Sequence, residues 1–454
     1  MKEKANIRVA IAGAGLTGLT TAFYLKKGGI PFRVFEKSER TGGVIQTHHE
    51  NGFTFEAGPN TGLLSRPEVA ELLEELQDEC KLEVADQSAK SRWIWKKNRW
   101  VPLPSGVLSG ITTPLFTVSD KLRLLGEPFR KKGNDPNESL ANLVLRRMGR
   151  SFLNYAIDPF ILGIYSGDPA RLVTQYAFPK LYHLEQDYGS FIGGAFKKAR
   201  EPKNERDKKA TKEIFSVKGG LGHLIQALEN KTGKENILLN CSNLAFQKKA
   251  DGYYTTYDAE GFTHVISTAG SYELKTLFPF VPEKQFEPVE KLQYSRVVQV
   301  ALGFTKWSGM PLKAFGGLVP FIEHRRILGV LFLSSFLKDK APEGGALLSV
   351  FLGGIRKPEM WELNDDEICG IVKEELTEML KLESFTPDLF KVFRYPYAIP
   401  QYSFESEEKL KAINRIRQAY PGIILAGNVR DGIGIADRIN QGKTIASQLI
   451  EKGL

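Results

Sequence analysis

Cysteine is scarce in this chain of 454 residues, and Cys80, Cys241 and Cys369 lie far apart, outside any C-x-x-C pattern. This spacing argues against a zinc knuckle or a disulfide framework, and it fits a reducing compartment. The six histidines show no H-E-x-x-H spacing. The adjacent pair His48 and His49 cannot both face one ligand on a regular element. We therefore predict no metal site.

Long hydrophobic runs are also missing. The chain has no uncharged apolar stretch of about 18 residues, the length that a membrane-spanning helix needs. Its first residues run directly into a short apolar strand, so we expect no signal peptide. The hydrophobic fraction of 42% is ordinary for a globular protein. At roughly 150 residues per domain, a chain of 454 residues is expected to form two or three domains.

Positive charge is in excess, with a formal net charge of +9. Such a balance fits nucleic acid, an anionic membrane surface or an acidic small molecule. No zinc finger, basic zipper or RNA-binding signature accompanies it, so we expect no nucleic acid partner. The densest basic run covers residues 197–212, with eight Lys/Arg against three Asp/Glu. Such a run predicts a solvated loop or, as an alternative, a patch on a membrane surface.

The most informative motif is a G-x-G-x-x-G loop between an apolar strand at residues 7–12 and a helical stretch. Gly13 permits a tight turn, Gly15 lets the backbone approach a pyrophosphate, and Gly18 lets the helix pack on the strand. The helix N-terminus stabilises the phosphate charge. Glu36 follows 23 residues after the first glycine, where an acid accepts hydrogen bonds from ribose hydroxyls. The alternative is a glycine-rich loop without a ligand.

Further glycines favour FAD over NAD. The sequence Arg-Thr-Gly-Gly at 40–43 suits an extended FAD whose diphosphate passes a second backbone turn. Residues 58–61 follow a strand-like stretch, and their backbone groups could lie near the flavin ring system. Near the C-terminus, a strand is followed by a glycine-rich turn at 427–434 and a final helix. A helix N-terminus there would favour the negative charge that reduction places at flavin N1 and the C2 carbonyl. An ordinary strand, turn and helix is the alternative.

The predicted FAD is held without a covalent link. The predicted cofactor-binding residues are Gly13, Gly15, Leu16, Thr17, Gly18, Glu36, Lys37, Arg40, Gly42, Gly43, Gly58, Pro59, Asn60, Thr61, Gly427, Asn428, Gly432, Ile433 and Gly434.

Several segments, in order along essentially the whole chain, resemble the oxygen-dependent protoporphyrinogen oxidase family. They are 163–172 (GIYSGDPARL), 178–181 (FPKL), 184–190 (LEQDYGS), 193–194 (GG), 218–221 (KGGL) and the terminal 427–434 (GNVRDGIG). The resemblance implies the fold of monoamine oxidase-like flavoproteins, of class α/β and α+β. Its parts are a discontinuous Rossmann-like FAD-binding domain, a mixed-sheet substrate-binding domain and a mainly helical, membrane-facing insert.

The resemblance also implies domain bounds. We expect the FAD-binding domain at 1–82, 212–270 and 420–454. The substrate-binding domain is expected at 83–102, 176–211 and 271–419, and the membrane-associated helical domain at 103–175.

The implied reaction is the oxidation of protoporphyrinogen IX to protoporphyrin IX in haem biosynthesis, with six electrons leaving in three flavin cycles and oxygen reduced to hydrogen peroxide. Flavin N5 takes the hydride, so no catalytic protein residue is expected. By resemblance, Arg92 holds a propionate and Gly167 contacts the substrate. A surface arginine is the alternative for Arg92, because Lys96, Lys97 and Arg99 are near it in sequence.

The candidate partners are the porphyrinogen, molecular oxygen, membrane lipid, a haem-pathway enzyme such as ferrochelatase, and a second copy of the chain in a homodimer. The expected location is the cytoplasm, with peripheral attachment to the inner face of the cell membrane.

Three other functions stay open from the sequence. Coproporphyrinogen III, with four propionates, is the alternative substrate. A flavin amine oxidase or carotenoid desaturase is more distant, and Tyr395, Tyr397 and Tyr402 could form the aromatic cage that an amine oxidase needs. A non-enzymatic flavoprotein that only carries a porphyrin is the third.

Overall fold

A computed structural model describes residues 7–202 and 204–453 of the chain. Its strands, in chain order, are β1 (Val9–Ala12), β2 (Phe32–Phe35), β3 (Gln46–Glu50), β4 (Phe53–Ala57), β5 (Gly62–Leu63), β6 (Leu82–Val84), β7 (Trp93–Lys96), β8 (Arg99–Pro102), β9 (Ile214–Val217), β10 (Ile237–Leu238), β11 (Gln247–Lys249), β12 (Gly252–Thr255), β13 (Asp258–Phe262), β14 (His264–Ser267), β15 (Tyr294–Phe304), β16 (Gly316–Leu318), β17 (Ile327–Leu331), β18 (Ala346–Gly353), β19 (Leu389–Pro400) and β20 (Ile423–Leu425).

The α-helices are α1 (Leu16–Lys27), α2 (Pro67–Glu75), α3 (Val107–Thr112), α4 (Val118–Leu125), α5 (Leu140–Arg147), α6 (Arg150–Phe152), α7 (Asp158–Tyr165), α8 (Thr174–Ala177), α9 (Pro179–Tyr188), α10 (Phe191–Ala199), α11 (Glu205–Lys208), α12 (Gly222–Thr232), α13 (Leu274–Leu277), α14 (Glu283–Glu290), α15 (Leu333–Phe336), α16 (Asp365–Leu380), α17 (Ser406–Ala419) and α18 (Ile435–Gly453). Short 3-10 turns lie at Gln87–Lys90, Glu127–Phe129, Lys234–Asn236, Ser271–Glu273, Phe321–Glu323, Pro358–Trp361 and Gly427–Val429.

A five-stranded parallel sheet, in the order β10-β2-β1-β14-β20, forms the centre of the half that contains the G-x-G-x-x-G loop. All four residues of β1 are buried, as expected for a central parallel strand covered on both faces. The predicted N-terminal strand and helix are confirmed as β1 and α1, and β2 completes a β-α-β unit. Because β14 and β20 come from distant parts of the sequence, the sheet is assembled from discontinuous segments.

A seven-stranded mixed sheet, in the order β19-β15-β18-β17-β16-β7-β8, forms the second half. Its long strand β15 pairs antiparallel with β18 and β19. Alternate residues of β15, such as Val298 and Val300, pack with helix α16 in one apolar cluster, whereas Ala301 packs with Phe53 and Phe55 of β4 in another. The face toward β4 therefore lies beside the 58–61 loop that was predicted to reach the flavin ring.

Residues 103–175 are mainly helical, as predicted, and contain α3 to α7. Helices α6 and α7 are joined by a π-helical turn at Leu153–Ile157. The turn precedes Pro159, whose missing N–H removes a regular helical hydrogen bond, and the chain adapts by widening one turn. Asp158 then accepts a hydrogen bond from the Phe321 amide at 2.8 Å, which fixes the start of α7 against the 3-10 turn at Phe321–Glu323.

Helices α9 and α10 pack on this helical segment through buried charges. The guanidinium of Arg147 pairs with Glu127 and, at 2.7 Å, with Glu185, and these side chains are almost completely buried. Glu127 also accepts hydrogen bonds from the Ser190 hydroxyl at 2.6 Å and the Phe191 amide at 2.9 Å, at the N-terminus of α10. Residues 179–199 and the 103–175 segment therefore share one polar network.

The described residues of the basic run, 197–202 and 204–212, form more than a solvated loop. They include the end of α10 and the short helix α11. Arg206 pairs with Glu68 and Glu71, and Lys209 pairs with Glu74 at 2.5 Å. Part of the run is therefore attached to helix α2 by ion pairs. No helix within 7–202 and 204–453 has the length and apolar character needed to cross a membrane.

Candidate functional site

Three predicted cofactor segments meet at one edge of the parallel sheet. Strands β1, β2, β14 and β20 all end at this edge, because parallel strands share their direction. Ligands in open α/β sheets bind outside the carboxyl ends of the strands. The glycine loop follows β1, Glu36 follows β2, and the 427–434 turn follows β20. The fold therefore brings together residues that are more than 400 positions apart.

The first two glycine loops lie side by side. The Gly42 amide donates to the Ala14 carbonyl at 2.8 Å, and Gly15 and Gly42 form a parallel bridge. Gly15 is the N-cap of α1 with no side-chain cap, and a Cβ built on it would meet no atom within 4 Å. The space beside Gly15 is therefore open, and the first N–H groups of a helix have no partner within the helix, which together fit a pyrophosphate.

Gly18 has the packing role that the motif predicts. A Cβ built on this residue would lie 2.0 Å from the Gly13 carbonyl oxygen. Only glycine lets α1 approach the loop so closely.

Glu36 is buried and positioned by the backbone. One carboxylate oxygen accepts the Ala14 amide at 2.7 Å, and the other accepts the amide and hydroxyl of Ser38 at 3.0 and 2.7 Å. A carboxylate offers about four lone-pair sites, so one site stays available for a ribose hydroxyl. The geometry fits the predicted contact and joins the ribose position to the glycine loop.

Thr268, which sequence reasoning missed, lies between the N-terminal loop and the C-terminal turn. Its hydroxyl donates to the carbonyls of Ala12 or Gly13, at 3.1 and 3.2 Å. A Cβ built on Gly427 would lie 2.6 Å from the Thr268 carbonyl oxygen. The only sequence signal was its position directly after an apolar strand.

The predicted cations Lys37 and Arg40 have protein partners. Lys37 pairs with Glu273 at 2.5 Å. The guanidinium of Arg40 donates to the carbonyls of Thr41 at 3.0 Å and Gly43 at 2.7 Å. Arg40 therefore stabilises the second glycine loop, and contact of either cation with the cofactor stays a prediction.

Gln299 attaches the 58–61 loop to the mixed sheet. Its side-chain oxygen accepts the Gly58 amide at 2.9 Å, and its nitrogen donates to the Glu56 carbonyl at 3.0 Å and the Ser349 hydroxyl at 3.1 Å. Sequence reasoning missed Gln299 and Ser349. The available signal was a polar glutamine inside the apolar strand β15.

Asn60 is buried beside this network. Its amide nitrogen lies 3.4 Å from the Ser349 hydroxyl, and its Oδ1 is shielded from water without a partner in the described chain. Such a buried acceptor fits an N–H group of a cofactor or substrate. Tyr395 donates its hydroxyl to Gln299 at 3.4 Å, and burial raises the pKa of Tyr395 to about 12. This tyrosine therefore stays protonated at neutral pH.

The C-terminal turn is held by side chains from α18 and from the segment after β19. Arg438 donates to the carbonyls of Arg430, Asp431 and Gly432 at 3.1, 3.0 and 2.9 Å. The Gly427 amide donates to Gln441 at 2.8 Å.

Tyr402 supports the same turn from another side. Its hydroxyl lies 2.9 and 3.0 Å from the carbonyl oxygens of Asn428 and Gly432, and it donates to one of them.

Arg92 precedes β7 and keeps an available guanidinium. It lies over the Phe315 ring at 5.4 Å, burial lowers its pKa, and no carboxylate within 7–202 and 204–453 pairs with it. By contrast, Lys96 donates to the carbonyls of Pro114 and Leu115, both at 2.8 Å. Of these two candidates for a substrate carboxylate, Arg92 is the less engaged one.

Gly167 follows α7 and packs against Gln401. A Cβ built on Gly167 would lie 2.4 Å from the side-chain oxygen of Gln401, whose nitrogen donates to the Tyr165 carbonyl at 2.9 Å. The predicted contact of Gly167 with the substrate stays a prediction.

The three tyrosines considered for an aromatic cage have separate partners. Tyr395 contacts Gln299, and Tyr397 stacks on Tyr272 with ring centroids 3.9 Å apart. Tyr402 supports the C-terminal turn. This arrangement does not favour a cage.

Comparisons with known proteins agree with this geometry. A family profile described as flavin-containing amine oxidoreductase matches residues 16–450. The mitochondrial protoporphyrinogen oxidase of Nicotiana tabacum is 28% identical, over 99% of this chain and 96% of the relative. The coproporphyrinogen III oxidase of Bacillus subtilis is 28% identical, over 97% of each chain.

A solved structure shows a similar fold. It belongs to a protein from Exiguobacterium sp. 255-15 that was provisionally named a protoporphyrinogen oxidase. The TM-score is 0.81 at 23% identity, over 99% of each chain. The family match confirms the predicted flavin cofactor, FAD, and an oxidoreductase of mixed α/β fold.

Proposed function

The chain belongs to the flavin-containing amine oxidoreductase family, and on this premise we propose that it oxidises protoporphyrinogen IX to protoporphyrin IX with oxygen as the acceptor. Relatives named protoporphyrinogen oxidase and coproporphyrinogen III oxidase align with nearly all of it. Bound FAD would supply the chemistry by taking a hydride from the porphyrinogen and passing the electrons to oxygen. The protein must then bind the ring, orient it and exclude water.

The available guanidinium of Arg92 is the observation that carries this proposal. A half-buried arginine without a carboxylate partner in the described chain is unusual, because burial disfavours an uncompensated charge. A propionate would supply the missing anion, since a guanidinium can bind a carboxylate through two parallel hydrogen bonds. A protonated amine substrate is positively charged, unlike a propionate, so the guanidinium of Arg92 would repel it.

Protoporphyrinogen has two propionates and coproporphyrinogen III has four. Lys96 is already bonded to two carbonyls and lies 4.1 Å from the centroid of the Tyr155 ring. Of these two cations, Arg92 has fewer protein partners and is the one available for a propionate. Because only one of the two is available, the substrate with fewer carboxylates is the better match. Coproporphyrinogen III stays the alternative.

The direct test is turnover. The purified protein should be yellow and release FAD on acid precipitation. It should then oxidise protoporphyrinogen IX faster than coproporphyrinogen III, forming hydrogen peroxide. Faster turnover of coproporphyrinogen III would support the alternative, and turnover of neither would reject the proposed substrate class.

The Arg92→Leu variant tests the propionate contact. Losing a charge-assisted hydrogen bond costs about 1.5–3 kcal/mol, or roughly ten- to a hundred-fold in kcat/KM. FAD content and Tm should not change, and a porphyrinogen ester should be insensitive to the substitution. Arg99→Leu, which changes an exposed arginine on β8, is the matched control. If Arg99→Leu shows the loss instead, the propionate is held at Arg99.

We also propose that the helical segment binds the surface of an anionic membrane. Several apolar side chains of the segment 103–175 are highly exposed: Phe129 is 90% exposed, Leu108 77% and Leu125 73%. On α4, Val118, Leu122 and Leu125 share one helix face. Exposed apolar side chains of this kind mark an interaction surface.

Contacts between neighbouring segments bring these residues together. Lys121 of α4 donates to the carbonyls of Ile111 and Thr113 at 2.6 and 2.7 Å, so α3 lies beside α4. Arg130, Lys131 and Lys132 follow α4 closely in the sequence, and Lys197 and Lys198 lie in the last turn of α10, whose first turn is bonded to Glu127. Apolar burial and attraction to anionic headgroups would then act together.

Vesicle sedimentation tests this surface. Vesicles with anionic lipid should retain the protein, and salt should weaken the binding. A Leu122→Gln/Leu125→Gln variant should stay in the supernatant with its FAD. The control Leu82→Gln/Val84→Gln changes exposed apolar side chains on β6 and should sediment like the parent. Equal sedimentation of both variants would argue against this surface.

A further inference from the structure

The turn at 427–434 directs its carbonyl groups toward the protein. Three successive carbonyls, of Arg430, Asp431 and Gly432, accept hydrogen bonds from the single guanidinium of Arg438. One arginine on α18 therefore orients three consecutive peptide groups.

This orientation has a direct geometric consequence. In a planar trans peptide the C=O and the following N–H point in opposite directions, and no cis peptide bond occurs in the described chain. When the carbonyls of residues 430–432 face Arg438, the N–H groups of Asp431, Gly432 and Ile433 must face away from it. These three N–H groups have no acceptor within residues 7–202 and 204–453. They form a row of donors beside the expected flavin position.

The charge of Arg438 is not neutralised by a direct ion pair in the described chain. Asp431 bonds to Arg430 at 2.6 Å and accepts the Gln441 side-chain amide at 2.9 Å. Asp437 pairs with Arg66 at 3.1 Å. Nε of Arg438 is shielded from water and has no partner in the described chain. The positive charge of Arg438 on α18 therefore lies against the turn, which also has these free N–H groups.

We propose that Arg438 is a positioning residue for the flavin. It holds the turn so that the three N–H groups face the pyrimidine edge of the isoalloxazine, and its charge favours the negative charge that reduction places at N1 and the C2 carbonyl. The helix N-terminus of α18 acts in the same direction. The inference depends on the FAD cofactor and not on the porphyrinogen, so it is independent of the proposed substrate.

Arg438→Met and Arg438→Lys test the two parts of this role. With Met, the apoprotein should bind FAD roughly ten- to a hundred-fold more weakly, as expected for lost charge-assisted hydrogen bonds, and the midpoint potential of bound flavin should fall. With Lys, the charge is kept, but the planar guanidinium geometry that places one nitrogen against the three carbonyls is lost. The potential should then stay nearer the parent value while FAD affinity remains reduced.

Lys443→Met is the matched control, because Lys443 lies on the same helix but pairs with Glu71 at 2.7 Å. Its midpoint potential and FAD affinity should equal those of the parent. Parent-like affinity and potential in Arg438→Met would overturn the proposal, and an unchanged potential alone would overturn its electrostatic part. If the Arg438 effects appear but no porphyrinogen is oxidised, only the proposed substrate is wrong.

Discussion

The two ends of the predicted flavin site are built in different ways. At the N-terminal loop, glycines and backbone groups form the site, and α1 approaches so closely that Gly18 cannot carry a Cβ. At the C-terminal turn, Arg438, Gln441 and Tyr402 hold the backbone from separate positions. The close packing of the first end depends on the absence of side chains at its glycines, and the second end depends on the side chains that hold it.

This difference determines how each end responds to change. A backbone-defined loop fails through steric overlap, because the backbone of a packed turn cannot move away. A side-chain-defined turn loses one hydrogen bond at a time, and the remaining contacts still hold it. We therefore expect abrupt losses at the first end and graded losses at the second.

Gly18→Ala should have the largest effect. Its Cβ would meet the Gly13 carbonyl oxygen, and such overpacking costs about 3 kcal/mol. Thermal unfolding of the apoprotein should show a clear fall in Tm. Gly15→Ala is the control, because its Cβ meets no protein atom within 4 Å. It should keep the Tm of the apoprotein and weaken FAD binding. Equal Tm values for both variants would contradict this account of the loop.

Glu36→Ala removes the acceptor of the Ala14 amide, which is also the acceptor predicted for the ribose. FAD binding should weaken by about 1–3 kcal/mol, the cost of an unsatisfied buried group. Titration of the apoprotein with FAD measures this change, and the exposed Glu39→Ala serves as its control. Parent affinity in Glu36→Ala would place the ribose elsewhere.

Lys409, beside the C-terminal turn, should lower the free energy of unfolding by an amount that depends on pH. Its ammonium is buried, lies 4.4 Å from the centroid of the Tyr402 ring, and has Asp431 as its nearby carboxylate. Burial lowers the pKa of Lys409 from 10.5 to about 7. The unfolded chain therefore binds more protons than the folded chain between these two pKa values, and the penalty for burying the charge is full below pH 7.

Raising the pH from about 7 toward 10.5 should relieve this penalty. Lys409→Met should raise the free energy of unfolding by about 1–3 kcal/mol at pH 6, and the gain should shrink as the pH rises. Denaturant unfolding at pH 6, 8 and 10 measures it, with the exposed Lys411→Met as control. A gain that does not depend on pH would mean that the lysine is not titrating.

Tyr402→Phe should have the smallest effect. It removes one hydroxyl from a turn that Arg438 and Gln441 still hold. The loss should be about 0.5–1.5 kcal/mol of FAD binding energy, or a few-fold in Kd. Tyr397→Phe, on an exposed ring, controls for the loss of a tyrosine hydroxyl. If Tyr402→Phe weakened FAD binding as much as Glu36→Ala, the C-terminal turn would not lose affinity in smaller steps than the N-terminal loop, and the proposed contrast would be wrong.

Local patterns were sufficient for the parts that follow local rules. The G-x-G-x-x-G spacing predicted the turn after β1, and the strand predicted before the C-terminal turn is β20. Both features depend on neighbours in the sequence. The segment at 197–212 shows where such rules end. A charge run predicts a solvated loop, but Arg206 and Lys209 pair with acids of α2 that lie more than 130 positions earlier.

The same limit applied to the site. Gln299 and Thr268 were missed because neither belongs to a local motif, and their roles come from partners such as Gly58 and Gly13. Lys96 donates hydrogen bonds to carbonyls of a separate segment, at Pro114 and Leu115. Because the sequence does not show these contacts, it could not show that Arg92 has fewer protein partners than Lys96.

The sequence alone determined the dinucleotide loop, the flavin and the family resemblance, because a backbone turn for phosphate needs glycines at fixed spacing and leaves a readable pattern. Only the tertiary structure decided which side chains hold the C-terminal turn and which of Arg92 and Lys96 stays available. These properties depend on burial and on contacts between distant segments, and a side chain becomes a support or an available charge only when the fold supplies or withholds its partner.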